Sequence, residues 1–384
     1  MYKKFTKTKG GTYDDIARQA YGTTEQAGNI AKINNNIEEG EVLVFVEDKN
    51  TKAPGTKSVA LQMGDCVFDN FAEYSLIDIL GGVKGAVFVF NKTDINYSFK
   101  MGEEAIVFDD NGEIFLKGRI ANIDNNLNSR ANWSQIEIKS HAGVLIESDT
   151  PYPLESQVLS LKNILEEIAG AYNQKISFSD EKELNEIFTN EIGTSFTAEI
   201  NEKAFSYMSR LCRSRGLLLT DTGDGLFIGR FKGNEEEKLN LIDGSCLGVK
   251  SIKLVFAGDG LGRYYEVNSQ YPETATATVS IPYPVPIIKR YNSDDYNALD
   301  LKTIGEQIAC TDIGKAFKVW VVLSENKKLK SGSFAILKNE KINIDKETDF
   351  VIETIIRKHP DETVLTLTLP CAYTYKIPET LPLT

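Results

Sequence analysis

The sequence is short of the residues that most enzyme chemistry needs. Histidine occurs twice, as His141 and His359. The two are far apart and have no cysteine at ligand spacing, which excludes the familiar zinc motifs. Cysteine occurs five times, as Cys66, Cys212, Cys246, Cys310 and Cys371, an odd and scattered set that never forms CxxC. That pattern predicts free core thiols in a reducing cytosol and excludes a disulfide framework. No G-x-S-x-G elbow is present for a serine nucleophile. Gly258–Gly262 is glycine-rich, but it lacks the G-x-G-x-x-G spacing and has no helix after it, so it reads as a loop between strands. No apolar run approaches the ~20 residues of a membrane span. Met1–Thr6 leads into polar sequence, and no secretory signal is expected. Positive charge is also in deficit, with 43 Lys and Arg against 55 Asp and Glu and a net charge of −12. This argues against a surface that grips nucleic acid. No tandem repeat of 20–50 residues is visible.

What remains is ordinary globular material. The chain has 384 residues, 41% of them hydrophobic and 26% charged, enough for two to four domains at roughly 100–200 residues each. The sequence is organised around Asn201–Arg230. Asn201 stands where an N-cap belongs. Ala204, Met208, Leu211 and Cys212 recur at helical spacing, predicting a helix over Glu202–Arg215. Gly216 is placed for a left-handed C-terminal cap. Leu217–Thr220 and Leu226–Ile228 read as strands joined by the turn-rich Asp221–Gly225. The Asp221-Thr222-Gly223 triplet imitates an aspartic protease, in which two such aspartates share a proton. It occurs once, and Asp224 replaces the usual hydroxyl residue, so a hairpin turn is expected.

Five segments follow in order. Residues 1–48 read as strand–helix–helix–strand, with helices near Tyr13–Tyr21 and Gly28–Ile33 and a strand at Gly40–Val46. Residues 49–57 are a polar linker around Pro54-Gly55. Residues 58–150 carry short β-rich runs separated by turns such as Asp109–Gly112, the pattern of a barrel or sandwich. Residues 151–245 are mixed α/β, opening with an amphipathic helix over Ser160–Ala169. Residues 246–384 return to β, interrupted by the proline cluster Pro282, Pro284 and Pro286 and by a helix over Asp294–Cys310. They end on a hairpin, Phe350–Ile356 with Thr363–Leu369. The fold class expected from this pattern is mainly β with α+β parts: two β domains, the first a barrel or sandwich, separated by an α/β insert, with a small N-terminal module.

Several segments resemble known families. In residues 1–48, Gly11–Ala17, Tyr21-Gly22, Ile30, Asn34 and Gly40–Leu43 resemble a LysM module, in the short form of phage tail protein X. The family's proline after the last strand is replaced by Phe45-Val46-Glu47. Such modules often bind N-acetylglucosamine polymers, which would place glycan contacts at Thr12, Tyr13 and Asn34. A plain adaptor between tail proteins is the other reading. Further on, Arg213, Arg215–Leu219, Asp221 and Gly225-Leu226 resemble a stretch of the Mu-type phage tail baseplate hub family, which is similar in fold to the hub part of type VI secretion spike proteins. Met101–Glu104, Leu116–Ile120, Gly262–Val267 with Gln270, and the terminal hairpin with Ala372-Tyr373 continue the series over residues 58–384. Ser140-His141 stands where the family has Gly-Arg.

The resemblance implies a structural protein without cofactor or metal: a homotrimeric ring that adapts a hexameric tail tube to a trimeric spike. It further implies two β-barrel hub domains in each chain, and a place in a contractile phage tail or a phage-tail-like bacteriocin, made in the bacterial cytoplasm and assembled into the baseplate. The implied partners are two further copies of the chain, the tube protein, the spike protein and other baseplate or tape-measure proteins, with peptidoglycan through the LysM-like module. An acidic inner surface would let a payload pass without sticking. Arg213, Arg215, Gly216, Asp221, Arg263 and Gln270 are the expected scaffold signature. The alternatives are a peptidoglycan-binding tail protein acting through residues 1–48 and a cell-wall-degrading one. The acids are too scattered to single out a catalytic pair for the latter.

Overall fold

The computed structural model describes residues 2–7, 12, 40–45, 59–92, 97–127, 132–151, 160–185, 198–199, 201–242, 248–269, 274–292, 300–324, 329–359 and 362–382. In chain order, β1 (Tyr2–Lys7), β2 (Gly40–Phe45), β3 (Ala60–Met63), β4 (Cys66–Phe68), β5 (Glu73–Ile79), β6 (Gly85–Asn91), β7 (Glu104–Phe108), β8 (Ile114–Leu127) and β9 (Asn132–Ser140) come first. Then follow α1 (Gly143–Glu147), α2 (Leu161–Ala171), β10 (Ile176–Phe178), α3 (Ala204–Ser214), β11 (Leu218–Asp221), β12 (Leu226–Gly229), β13 (Asn234–Ile242), β14 (Val249–Phe256), β15 (Tyr264–Ser269), β16 (Ala275–Ser280) and β17 (Ile288–Asn292). The chain closes with α4 (Leu301–Ala316), β18 (Phe317–Leu323), β19 (Ser333–Asn339), β20 (Ile344–Lys358), β21 (Glu362–Thr368) and α5 (Cys371–Thr374). The protein is mainly β, as the alternating sequence predicts. It divides into two compact units, Met1–Ala72 with Val89–Ile136, and Glu73–Phe88 with Glu137–Thr384.

In the first unit, β1 and β2 pair antiparallel from Tyr2↔Phe45 to Lys7↔Gly40. The helices expected between them lie outside the described residues. β4, β3, β7 and β8 form an antiparallel ladder. Ala105 and Val107 of β7 are buried while their neighbours are not, the period of two that a half-buried strand requires. The turn at Asp109–Gly112 forms as expected. Asp109 Oδ1 accepts from the amides of Asn111 at 2.9 Å and Glu113 at 3.0 Å, an Asx turn. Phe68, Phe71, Phe90, Tyr97 and Phe99 form an aromatic cluster in this unit, with neighbouring rings 5.1–6.0 Å apart.

The second unit is built on β20. Its first half pairs with β19 and its second half lies between β21 and β5. The register shifts between Ile352 and Thr354, so a bulge at Glu353 lets one strand serve two ladders. Three bonds pin the bulge: the Leu80 amide donates to the Glu353 carbonyl at 2.8 Å, and Lys318 and Tyr373 both donate to the Glu353 carboxylate. β14, β18 and β21 extend one ladder, and β13 pairs with β19 in parallel. Phe317, Val319, Val321 and Leu323 of β18 point into a core shared with Ile352, Ile355, Leu365 and Leu367. In both units the described strands are ordered as open ladders, with no pairing among them that closes the expected barrels.

One helix differs clearly in extent from the expectation. The helix expected over Asp294–Cys310 is α4, which starts at Leu301 and continues to Ala316; residues 293–299 lie outside the described set. Asp300 caps it, accepting from the Thr303 amide at 2.9 Å. After β9 the chain forms the short helix α1, with Gly143 and Leu145 buried. Ser160 caps α2, and Leu161, Leu165, Ile168 and Ala169 are buried as the amphipathic pattern requires. These helices pack with α3 and the three-stranded sheet β10-β12-β11 into a second core.

Candidate functional site

The α3–β11–β12 stretch carries the strongest local signals of the sequence and a buried carboxylate that accepts three hydrogen bonds. α3 buries Ala204, Met208, Leu211 and Cys212 on one face, together with Phe205 and Tyr207. Its N-cap is Lys203, not Asn201. Asn201 instead takes a left-handed conformation at φ 65°, which asparagine tolerates better than most residues. At the other end Gly216 adopts φ 69°. The Leu217 amide reaches the Cys212 carbonyl at 2.9 Å and the Gly216 amide reaches Arg213 at 2.9 Å. These are the two bonds of a Schellman cap. The cap turns the chain directly into β11.

β11 and β12 pair antiparallel from Leu218↔Gly229 to Asp221↔Leu226. A two-residue loop, Gly223-Asp224, joins them, with Gly223 at φ 91°, the arrangement of a hairpin turn with glycine first. β10 adds to β12 in parallel. The expected helix and hairpin thus form within one or two residues of their predicted ends.

Asp221 is 2% exposed. Its Oδ1 accepts from the Gly223 amide at 2.7 Å, and its Oδ2 accepts from the Lys84 amide at 2.8 Å and from the Ser140 hydroxyl. Burial pushes its carboxyl above the ordinary range, and the bonds from Ser140, Lys84 and Gly223 pull it part of the way back. The carboxylate therefore ties three separate stretches of chain together. Its bonds are all to donors, and no second carboxylate shares a proton with it among those bonds, so the geometry is that of a structural anchor rather than a protease dyad. Among the described residues no group of three His, Cys, Asp or Glu is placed to hold a metal ion.

The arginines of this region differ in role. Arg210 forks onto Glu202, with Nε at 3.0 Å from Oε1 and Nη2 at 2.7 Å from Oε2. Burial alone would raise the Glu202 carboxyl, but this fork and the Glu199 amide hold it below the ordinary range. Arg230 reaches Glu181 at 3.2 Å and also Glu183. Arg215 is buried at 4% exposure, whereas Arg213 is exposed in the last turn of α3, where the helix dipole favours a cation. Arg263 is apart from this group, exposed just before β15 with its guanidinium 5.4 Å from the Tyr264 ring centre. Thr12 is exposed, and Tyr13, Asn34 and Gln270 lie outside the described residues.

The structure thus brings Arg213, Arg215, Gly216 and Asp221 into one local unit. Sequence reasoning missed the partners of Asp221. The Lys84 contact is a backbone amide, to which no side chain points. Ser140 had a signal only through the resemblance, in which it stands at a glycine position.

No family model matches the sequence, and no curated protein matches it. Solved structures do match. The fold is that of phage tail proteins. The 43 kDa tail protein of prophage MuSo2 from Shewanella oneidensis superposes with a TM-score of 0.67 at 16% identity, covering 82% of this chain and 99% of that one. The tail protein from Neisseria meningitidis MC58 gives 0.67 at 15% identity, covering 83% and 98%. Prophage tail protein gp18 from Listeria monocytogenes gives 0.57 at 10% identity, covering 81% and 94%. At such identities the side chains have diverged almost entirely. The tail-protein fold therefore rests on its pattern of buried and exposed positions and on a few anchors, of which Asp221 is one in this chain.

Proposed function

We propose that the protein is a structural baseplate hub of a contractile phage tail or phage-tail-like bacteriocin. In this reading three copies form a ring that adapts a hexameric tail tube to a trimeric spike. The observation that carries it is the fold likeness, which spans nearly the whole length of two phage tail proteins. The buried bonding of Asp221 supports a scaffold role, because it spends the one protease-like triplet of the chain on holding strands together. Residues 58–150 and 246–384 would be the two hub domains and 151–245 the insert. Residues 1–48 would be the LysM-like adaptor, joined by a linker over 49–57. Two similar domains in each of three subunits would present six similar surfaces to the tube, a physical answer to a symmetry mismatch.

The test is the mass and shape of the purified chain. Light scattering at micromolar concentration should give a trimer, and negative-stain images should give a ring with threefold symmetry. A strict monomer with no ring would overturn the hub reading.

A further inference from the structure

The first unit contains a cavity of about 300 Å³ that the scaffold role does not use. Phe90, Tyr97 and Phe99 line it on one side, and Lys92, Asn125 and Ser134 are its main polar groups. The rings are packed against one another: Phe99 is 5.1 Å from Phe90 and 5.3 Å from Tyr97, centre to centre. Tyr97 is also fixed at its far end, because its hydroxyl donates to Glu103, whose other oxygen accepts from the Lys100 amide at 3.1 Å. The tyrosine hydroxyl is thereby engaged with Glu103, and the ring is held as an apolar wall. Among the polar lining groups, Ser134 donates to Asn125 Oδ1 at 2.6 Å. That bond orients the Asn125 amide, leaving its nitrogen with two hydrogens to donate and the Ser134 oxygen with lone pairs to accept.

We infer that this cavity binds a pyranose sugar. A sugar ring has one face of C–H groups and a rim of hydroxyls that both donate and accept. The aromatic wall suits the first. The amide nitrogen, the serine oxygen and the Lys92 ammonium suit the second. The volume is at the low end for small-molecule sites, the size of one or two sugar rings. A purely apolar ligand would cover the Asn125 amide nitrogen without accepting from it, which costs affinity. A nucleotide would bring phosphate charge to a chain of net charge −12. The described lining residues all lie between Phe90 and Ser134.

Saturation-transfer NMR on the full chain decides it, using the methyl glycosides of glucose, galactose and N-acetylglucosamine as sugar probes, with indole and adenosine as controls. One or more sugars should bind in the millimolar range, with transfer strongest to the ring C–H protons. Asn125→Ala takes the acceptor from the buried Ser134 hydroxyl, so it should lower the unfolding midpoint slightly while the chain stays folded, and it should weaken binding about tenfold. Phe99→Leu should weaken it further, and if that variant does not fold, Ser134→Ala takes its place. The inference is overturned if no sugar binds, if affinity is the same in Asn125→Ala and the second variant, or if indole or adenosine binds in preference to the sugars.

Discussion

Ser140 donates its hydroxyl hydrogen to Asp221 across 81 residues of chain, and both side chains are buried. One residue ends β9 and the other ends β11. The bond holds a position that sequence comparison marks only as a departure. In the Asp-Thr-Gly triplet, the carboxylate oxygens of Asp221 are thus engaged by two amides and a hydroxyl.

Removing that anchor should be costly. Asp221→Ala leaves the Lys84 amide, the Gly223 amide and the Ser140 hydroxyl without their acceptor, and a loss of about 3 kcal/mol or more in unfolding free energy is expected. Ser140→Ala removes one bond and should cost ~1 kcal/mol. Urea denaturation of both variants checks the ranking. Equal losses would show that the three bonds do not act separately.

Burial of the same carboxyl, opposed in part by these bonds, sets a pH dependence. Asp221 titrates above the ordinary value of 3.8. It holds its proton more tightly folded than unfolded, so its contribution is most favourable below that value and declines as pH rises through the folded value. Ser140→Ala removes a bond that favours the charged form and should raise the Asp221 pKa further. Carboxyl NMR shifts would read this directly, and an unchanged titration would contradict the geometry. Glu202 behaves oppositely, being held below 4.5. The stability gap between the wild type and Glu202→Gln should be present above that value and close as pH falls through the folded pKa.

Gly216→Ala isolates a backbone cost. An added Cβ would meet nothing closer than 3.7 Å, yet φ is +69°. A loss of ~1–2 kcal/mol is expected from conformation alone. A neutral result in denaturant unfolding would mean that the cap relaxes.

The two neighbouring arginines should separate cleanly. Arg213→Ala, at an exposed position, should change stability by no more than about 0.5 kcal/mol. Arg215→Ala empties a buried site and should cost ~2 kcal/mol or more. Phe317, fully buried and stacked on Phe256 at 4.3 Å between ring centres, should cost about 3–5 kcal/mol as Phe317→Ala. Calorimetric unfolding of the three variants places them on one scale.

Most of the second unit is legible in the sequence because its signals are local. β14, β18, β20 and β21 follow alternating apolar runs, α2 and α3 follow 3.6-residue periodicity, and Gly216 marks a helix end by its freedom at positive φ. The start of α3 was misplaced because Asn201 has the side chain of a cap without the required backbone conformation. The far end of α4 was missed because Gly305 and Gly314 weaken the helical pattern, although the helix is held by packing on both sides of them.

The amino-acid sequence alone determined the local elements, since strand alternation, helix periodicity and turn chemistry depend on residues a few positions apart. It also determined the absence of the common catalytic motifs. Only the tertiary structure decided that Asp221 is an anchor, that β20 serves two ladders through a bulge at Glu353, and that three aromatic rings, an amide and a hydroxyl line one cavity. Each of these joins groups far apart in the chain, and two of them use backbone amides that every residue carries. Nothing in the identity of Lys84 announces that its N–H will meet a carboxylate 137 residues away; the packing of the sheet puts it there.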